Sequence, residues 1–173
     1  MCANSVPIRP QRMGCRRRGA TVRDVGRPAR SSLPDGFYHV YARGLAGQPP
    51  FVDDDDREFF LEIFRLCERR HAWTCHAFAV LSTHYHAVLE TTRVNLSTGL
   101  KLLNSRYARR FNRRHNRFGH VFAERFQARV IESAEYLYDA CAYVAQNPVA
   151  AGLCDAPEDW PWSYRRDGDG DGA

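Results

Sequence analysis

The sequence predicts a single α+β domain in which an antiparallel sheet carries helices packed on one side. Strand-like and helical patterns follow one another in the order strand, helix, strand, strand, helix, strand, helix. Elements in that order are typical of a ferredoxin-like sheet. A chain of 173 residues, 44% of them hydrophobic and 12% aromatic, has the length of one domain and enough apolar side chains to fill its core.

The two ends of the chain are predicted to lie outside this domain. Residues 1–33 mix Arg, Pro, Gly and Ser without hydrophobic periodicity, which is typical of a disordered basic arm. Two explanations of the arm stay open: it makes additional phosphate contacts, or the start codon is mis-assigned upstream of Met13 or of a later residue. The domain is expected to span residues 34–165, and residues 166–173 to form a flexible acidic tail.

The first strand and helix follow from local composition. Residues 37–42 are aromatic and β-branched and precede a loop rich in Gly and Pro, which predicts a strand. Asp53 to Asp56 then place negative charge where a helix dipole favours it, at a helix start. We interpret these aspartates as helix-start residues rather than metal ligands. The helix has an apolar stripe formed by Phe59, Phe60, Ile63, Phe64 and Cys67.

Composition and helix-capping signals also predict the remaining strands and helices. Residues 73–81 predict a second strand, which leads through a tight joint into a third strand beginning at His84. Asn95 or Ser97 can cap the second helix. Residues 125–131 predict a fourth strand, and the last helix is expected from Ala134 to about Gln146, ended by Pro148. The second helix has its apolar positions at Leu96, Leu100, Leu103, Tyr107 and Phe111.

A histidine pair on the third strand is a candidate metal site. His84 and His86 are two residues apart, so on a strand they share one face while Tyr85 faces the other way. Two imidazoles in that geometry can bind one divalent ion, together with a third protein ligand and an open position. An isolated pair of this kind is more often an ordinary strand pair, so the rest of the site has to come from elsewhere.

The last helix offers the missing groups. Tyr143 and Asn147 are one helical turn apart and share a flank that also includes Tyr136. If this helix crosses the sheet near His84 and His86, the amide is the third ligand and Tyr143 is the nucleophile.

The second helix and the segment after it predict a nucleic-acid surface. No acidic residue occurs from Leu96 to Ala123, and aromatic residues are interleaved with the basic ones. A solvated charged face usually mixes both signs, whereas a one-signed basic face favours phosphate. The predicted DNA-binding residues are Lys101, Arg106, Arg109, Arg110, Arg113, Arg114, Arg117 and Arg125.

The charge and the cysteines of the chain indicate which partners and which cellular location to expect. The formal net charge is +5, carried mainly by arginines, whose planar guanidinium binds two phosphate oxygens at once. The six cysteines lie at irregular intervals, and their spacing matches neither a zinc ribbon nor a recognisable disulfide pattern. No apolar run is long enough for a membrane helix. We expect reduced cysteines, no membrane partner and a cytoplasmic location.

Several motifs, in this order, resemble the IS200-like tyrosine transposases, and in particular the REP-associated tyrosine transposases. The similarity extends from about Gly36 to Arg165. The motifs are Phe37-Tyr38-His39-Val40 with Arg43-Gly44, Ala77-Phe78-Ala79-Val80-Leu81, His84-Tyr85-His86, Gly119-His120-Val121-Phe122 with Arg125-Phe126, Tyr143-Val144-Ala145-Gln146-Asn147-Pro148-Val149 with Ala151-Gly152-Leu153, and Trp160-Pro161-Trp162-Ser163-Tyr164.

The resemblance implies a fold and a chemistry. It implies an HUH nuclease domain in which His84, His86 and Asn147 hold Mg²⁺ or Mn²⁺ and Tyr143 attacks DNA, leaving a 5′-phosphotyrosine. Arg125 and the arginines of the second helix would lie along single-stranded or hairpin DNA, bound by a monomer or a homodimer. Two other functions stay open: a metal-dependent phosphoesterase that activates water, and a DNA-hairpin-binding protein with an idle site.

Overall fold

The computed structural model describes residues 33–166, which form five strands, three α-helices and a short 3-10 turn. The elements are β1 (Gly36–Arg43), α1 (Asp54–His71), β2 (Trp73–Val80), β3 (His84–Thr91), α2 (Leu96–Arg114), β4 (Gln127–Ile131), α3 (Ala134–Ala150), the 3-10 turn (Pro157–Asp159) and β5 (Ser163–Arg165). Nearly all of the predicted acidic tail and of the predicted basic arm lies outside the described residues.

The strands form one antiparallel sheet in the order β4-β1-β3-β2-β5. β3 is therefore central, with β1 and β2 on either side. This confirms the predicted α+β class and places the histidine strand inside the sheet. The described helices include none that is long and apolar enough to cross a membrane.

The helices lie on both faces of the sheet, which corrects the expectation that they pack on one side. Alternate side chains of β3, including Tyr85 and Leu89, enter a core shared with α1 and α2. Val88 points to the opposite face, where α3 packs. The physical reason is that the second face is also apolar and is lined by small residues. Fully buried Ala77 and Ala79 leave room for a helix to approach closely.

The core beneath α1 and α2 is rich in aromatic rings. The rings of Phe60 and Tyr85 lie 4.7 Å apart, and Phe51 contacts both Phe60 and Tyr107 at 5.1 Å. The Tyr107 hydroxyl donates a hydrogen bond to the Pro50 carbonyl. All five predicted apolar positions of α2 are buried, so the helical periodicity identified the core face correctly.

The start of α1 is built as predicted. Asp53 is the N-cap, and its Oδ1 accepts a hydrogen bond of 3.1 Å from the Asp56 backbone N–H. Asp56 is nevertheless buried, and its Oδ2 accepts from the Val52 N–H at 3.0 Å. The acidic run therefore stabilises a helix start.

Two features of the C-terminal part differ from the sequence prediction. α3 does not end before Pro148 but continues to Ala150, with the proline inside its last turn. Proline removes only its own N–H, and the following residues still bond, as Ala151 N–H does to the Asn147 carbonyl at 3.0 Å. The chain then adds a fifth strand, β5, to the free edge of β2.

Candidate active site

A pocket of about 590 Å³ lies between α3 and the sheet face formed by β1 and β3. It forms because alternate residues of β1 point toward α3, and the strand register places Tyr41 opposite His86 and Arg43 opposite His84. β4 continues this face, with Arg129 opposite His39. The lining residues are His39, Tyr41, Arg43, His84, His86, Arg129, Tyr136, Asp139, Ala140 and Tyr143.

The predicted histidine pair shares one face of β3, as expected. The ring centroids of His84 and His86 are 4.9 Å apart. Each ring has a hydrogen-bond partner at Nδ1: the Thr83 hydroxyl lies 2.8 Å from His84 Nδ1, and His39 Nε2 lies 2.9 Å from His86 Nδ1. Among the described residues neither Nε2 atom has a partner, and neither is closed off from solvent. Both are thus free to act as ligands.

The environment of the pair favours neutral imidazole. Burial, together with the smaller effects of the neighbouring His39, His84 and Arg43, lowers the pKa of His86 to about 3. Burial, with Arg43 nearby, also lowers the pKa of His84. A histidine must be neutral to bind a cation. At neutral pH the pair is therefore in the protonation state that a metal site needs.

Tyr143 projects from α3 into the same pocket. Its ring is 56% exposed and makes edge contacts with His39 and His86, each with a centroid separation of 5.8 Å. α3 is held in this position by Ala140, Cys141 and Val144, which pack on the sheet. The structure thus brings Tyr143, His84 and His86 together.

Asn147 is placed differently from the two histidines. Its amide Nδ2 donates a hydrogen bond of 2.7 Å to the Tyr143 backbone carbonyl, and the residue does not line the pocket. Within the described part of the chain, no three His, Cys, Asp or Glu side chains converge on a possible metal position. The role of Asn147 as third ligand stays a prediction. A divalent ion at the histidine pair needs oxygen ligands, which an amide, water or a phosphate can supply.

Comparison with known protein families identifies the family of this chain. A family model described as "Transposase IS200 like" matches residues 38–147, more than half of the chain. The chain belongs to the IS200-like transposase family. A search of the curated proteins gives no significant match.

A solved structure shows the same fold at low sequence identity. The fold of this family member is similar to that of a REP-associated tyrosine transposase solved bound to a REP hairpin. The TM-score is 0.64 and the identity 16%, over 76% of this chain and 77% of the other. A candidate transposase from Deinococcus radiodurans matches with a TM-score of 0.47 and 15% identity, over 68% of this chain and 95% of the other.

The sequence interpretation missed several residues of the pocket in this family member. His39, Tyr41 and Arg43 reach it through the two-residue repeat of β1, and Arg129 through its register opposite His39. The two-residue alternation on β1 could have shown that these side chains share one face. Their position beside the histidines could not be predicted in this way, because it depends on strand pairing between distant parts of the chain. Arg43 and Arg129 add positive charge on the two sides of the pocket.

The predicted basic surface lies on the opposite face of the sheet from Tyr143. A groove between α1 and α2 is lined on the α2 side by four exposed arginines, and the Arg110 guanidinium lies 4.2 Å from the Phe59 ring centroid. Lys101, nearer the start of α2, is also exposed. We call the four groove arginines the α2 arginines; they are Arg106, Arg109, Arg110 and Arg113.

Arg114 does not belong with the α2 arginines. Its guanidinium forms ion pairs with Asp53 at 2.7 Å, Asp55 at 3.0 Å and Asp56 at 2.9 Å. His115 Nε2 adds a 2.9 Å contact to the same buried Asp56. These groups tie the end of α2 to the start of α1, so the guanidinium of Arg114 already has carboxylate partners.

Arg117 and Arg125 lie in the segment between α2 and β4. Arg117 packs over the Phe111 ring and contacts the Gln48 side chain. The segment then bridges to the end of β1, where the Ala123 N–H donates to the Arg43 carbonyl at 2.9 Å. Exposed Arg125 follows directly. A line of arginines thus leads from α2 to the end of the sheet at which His84 lies.

Proposed function

We propose that this protein is a transposase that cleaves and rejoins single-stranded DNA at hairpin-containing sites through Tyr143. The observation that carries the proposal is the position of the Tyr143 ring beside His86, in a pocket that also holds His84 and two guanidinium groups. Such a pocket combines a nucleophile, possible cation ligands and positive charge for a phosphate, which are the parts that phosphoryl transfer requires.

The proposed step is a transesterification. The Tyr143 phenolic oxygen loses its proton and bonds to the scissile phosphorus as the bond from phosphorus to the 3′ oxygen breaks. The 3′ oxygen takes up one proton and leaves as a hydroxyl, so no net proton is gained or lost. The product is a 5′-phosphotyrosine and a free 3′ end. Because one phosphodiester replaces another, the reverse attack by a 3′ hydroxyl rejoins the strand without an external energy source.

Mg²⁺ or Mn²⁺ is the proposed cofactor. His84 and His86 would hold it through Nε2, and Asn147 through its amide oxygen once the side chain releases the Tyr143 carbonyl. When bound, the ion would polarise the scissile phosphate and offset developing negative charge. Arg43 and Arg129 flank the pocket and would orient the phosphate by charge-assisted hydrogen bonds.

The DNA is proposed to contact both faces of the molecule. The α2 arginines offer positive charge for the phosphates of a hairpin stem. The REP-associated tyrosine transposase of similar fold was solved with a REP hairpin bound. A single strand leaving the hairpin would follow Arg117 and Arg125 around the end of the sheet to Tyr143. Binding and cleavage would then depend on different residues.

One incubation separates this function from its rivals. A labelled hairpin oligonucleotide with a single-stranded flank is mixed with the protein and Mn²⁺, or with EDTA, and resolved on a denaturing gel. The proposal predicts a labelled band at the mass of protein plus DNA, with Mn²⁺ only. Free cleavage products without any adduct would indicate a phosphoesterase that uses water. Binding without cleavage would indicate a DNA-binding protein with an idle site.

A further inference from the structure

His39 is a buried polar residue of the pocket to which the mechanism above gives no role. It lies on β1, between Val88 of β3 and Arg129 of β4, and is 8% exposed. Its Nε2 lies 2.9 Å from Nδ1 of His86, which is 7% exposed. The His39 ring also makes an edge contact with Tyr143 at 5.8 Å. His39 thus contacts both a proposed ligand and the proposed nucleophile.

The hydrogen bond between the two imidazoles has two possible directions with opposite consequences. If His86 Nδ1–H donates to His39 Nε2, then His86 Nε2 has a free lone pair facing the pocket. If His39 Nε2–H donates instead, the only proton of neutral His86 lies on Nε2, which then cannot bind a cation. The direction of this one bond decides whether His86 can be a ligand.

We infer that His39 is a positioning residue, whose Nε2 accepts the Nδ1–H of His86 and so keeps His86 Nε2 free for a divalent cation. The inference rests on the proposed metal role of His86. It assigns His39 the outer-shell task that carboxylates and carbonyls perform for other metal-binding histidines, which is to fix both ring orientation and tautomer. Thr83 occupies the corresponding position at His84 Nδ1, but its hydroxyl rotates freely and can donate or accept.

Two substitutions at His39 separate the hydrogen bond from simple packing. His39→Gln keeps an acceptor oxygen that can reach the position of Nε2, whereas His39→Leu keeps a similar volume without an acceptor. The readouts are long-range ¹H–¹⁵N correlation spectra, which report the His86 tautomer in the metal-free protein, and Mn²⁺ affinity measured by calorimetry. Hairpin binding in EDTA and thermal unfolding serve as controls for the fold.

The wild-type protein should show a protonated Nδ1 and an unprotonated Nε2 on His86. His39→Gln should keep that tautomer and an Mn²⁺ affinity close to wild type. His39→Leu should give a mixture of tautomers and weaken Mn²⁺ binding about 10–100-fold, with hairpin binding unchanged.

Three results would overturn the inference. The first is a wild-type His86 that carries its proton on Nε2. The second is a folded His39→Leu variant with wild-type tautomer and Mn²⁺ affinity, and the third is a His39→Gln variant as impaired as a folded leucine variant. If the leucine variant does not fold, the wild-type tautomer and the glutamine variant still decide the matter. A wild-type protein that binds hairpin DNA but no Mn²⁺ would refute the proposed metal site itself.

Discussion

At the scale of single residues, burial in the pocket sets the protonation of the histidines. Burial and the nearby Arg129 lower the pKa of His39 to about 4, and burial, with smaller effects of the neighbouring histidines and Arg43, lowers that of His86 to about 3. Because the His39 and His86 rings are neutral and share a hydrogen bond, they can be buried between the sheet and α3 without a counter-ion. The same burial links the pocket to the pH dependence of stability, because protonation of either ring would place a charge in a poorly solvated site.

We predict a loss of stability in mild acid from this pair. The unfolded chain binds protons near pH 6.5, whereas the folded pKa values of His39 and His86 are lower. Their contribution is therefore complete above about pH 6.5 and is lost as the pH falls toward 4, by at most about 1.4 kcal/mol per pH unit for each ring. Denaturant unfolding of wild type and of the double variant His39→Gln/His86→Gln from pH 7 to 5 measures this slope.

The double variant should show a shallower pH dependence of its unfolding free energy. Removal of His120, an exposed histidine of the α2–β4 segment, is the matched control and should leave the wild-type slope nearly unchanged. Equal slopes for wild type and the double variant would show that the two buried rings do not cause the acid sensitivity.

The metal role of the histidine pair gives a second prediction. His84→Ala or His86→Ala should lower cleavage about a thousandfold or more, because a bound cation stabilises the reacting phosphate by several kcal/mol. Hairpin affinity should stay close to wild type, since the α2 arginines lie on the other face of the sheet. Gel assays of cleavage and of binding on the same oligonucleotide check both statements. Cleavage that persists at the wild-type rate in EDTA would exclude the metal role.

The residues of the site divide into those that local spacing reveals and those that it does not. Two-residue spacing on a strand placed His84 and His86 on one face, and four-residue spacing on a helix placed Tyr143 and Asn147 on one flank. His39 and Arg129 could not be found this way, because their position depends on the pairing of β1 with β3 and β4. Residue spacing does not predict side-chain rotamers either. The Asn147 amide, for example, bonds to the Tyr143 backbone carbonyl and does not line the pocket.

At the scale of elements, α2 both packs in the core and presents arginines to solvent. Its apolar stripe fills the aromatic core, its exposed side carries the α2 arginines, and its last residue, Arg114, joins the start of α1 through three aspartates. Neighbouring arginines on this helix therefore differ in their partners. The sequence alone shows Arg113 and Arg114 as two equivalent positive charges. In the folded protein they differ, because aspartates from a distant part of the chain form ion pairs with Arg114.

This difference between Arg113 and Arg114 is directly testable. Arg113→Ala should weaken hairpin binding and reduce the slope of log affinity against log salt concentration by about one unit, because one phosphate contact is lost. Arg114→Ala should leave that slope nearly unchanged and instead lower the melting temperature, since buried Asp56 loses an ion-pair partner. Filter binding across a salt series and thermal melts of both variants provide the data. An equal loss of salt slope in the two variants would place Arg114 on the DNA.

The elements themselves were mostly predictable, and the exceptions have physical causes. Apolar periodicity located α1 and α2, and helix start and stop signals located α3. The end of α3 was misplaced because a proline in the last turn removes only one hydrogen bond. The side of the sheet that α3 covers was also misplaced. That choice depends on the strand register, which sets Ala77 opposite Val88 and Ala79 opposite His86 and is a property of the assembled sheet.

At the scale of the whole molecule, the sheet separates the proposed binding surface from the proposed chemistry. The α2 arginines and Tyr143 lie on opposite faces, and the segment carrying Arg117 and Arg125 runs between them at one end of the sheet. DNA that uses both faces must pass around this end. The fold thus predicts a minimum length for the single strand between hairpin and cleavage site.

Shortening that strand should uncouple binding from cleavage. Oligonucleotides with the same hairpin and a flank reduced one nucleotide at a time should keep their affinity, because phosphate contacts of the stem dominate binding. Cleavage should fall sharply once the flank no longer reaches Tyr143. Parallel binding and gel assays over the series test this expectation, and cleavage that declines only in proportion to affinity would contradict the two-face arrangement.

The central claim is that Tyr143 is the nucleophile, and mass spectrometry of the protein after incubation with hairpin DNA and Mn²⁺ tests it most directly. Wild type should carry an oligonucleotide mass on the peptide that contains Tyr143. Tyr143→Phe, which removes one oxygen and keeps the ring, should carry none and should not cut. Tyr136→Phe is the matched control, since Tyr136 lines the same pocket, and it should form the wild-type adduct. Cleavage by Tyr143→Phe at the wild-type rate would contradict the account.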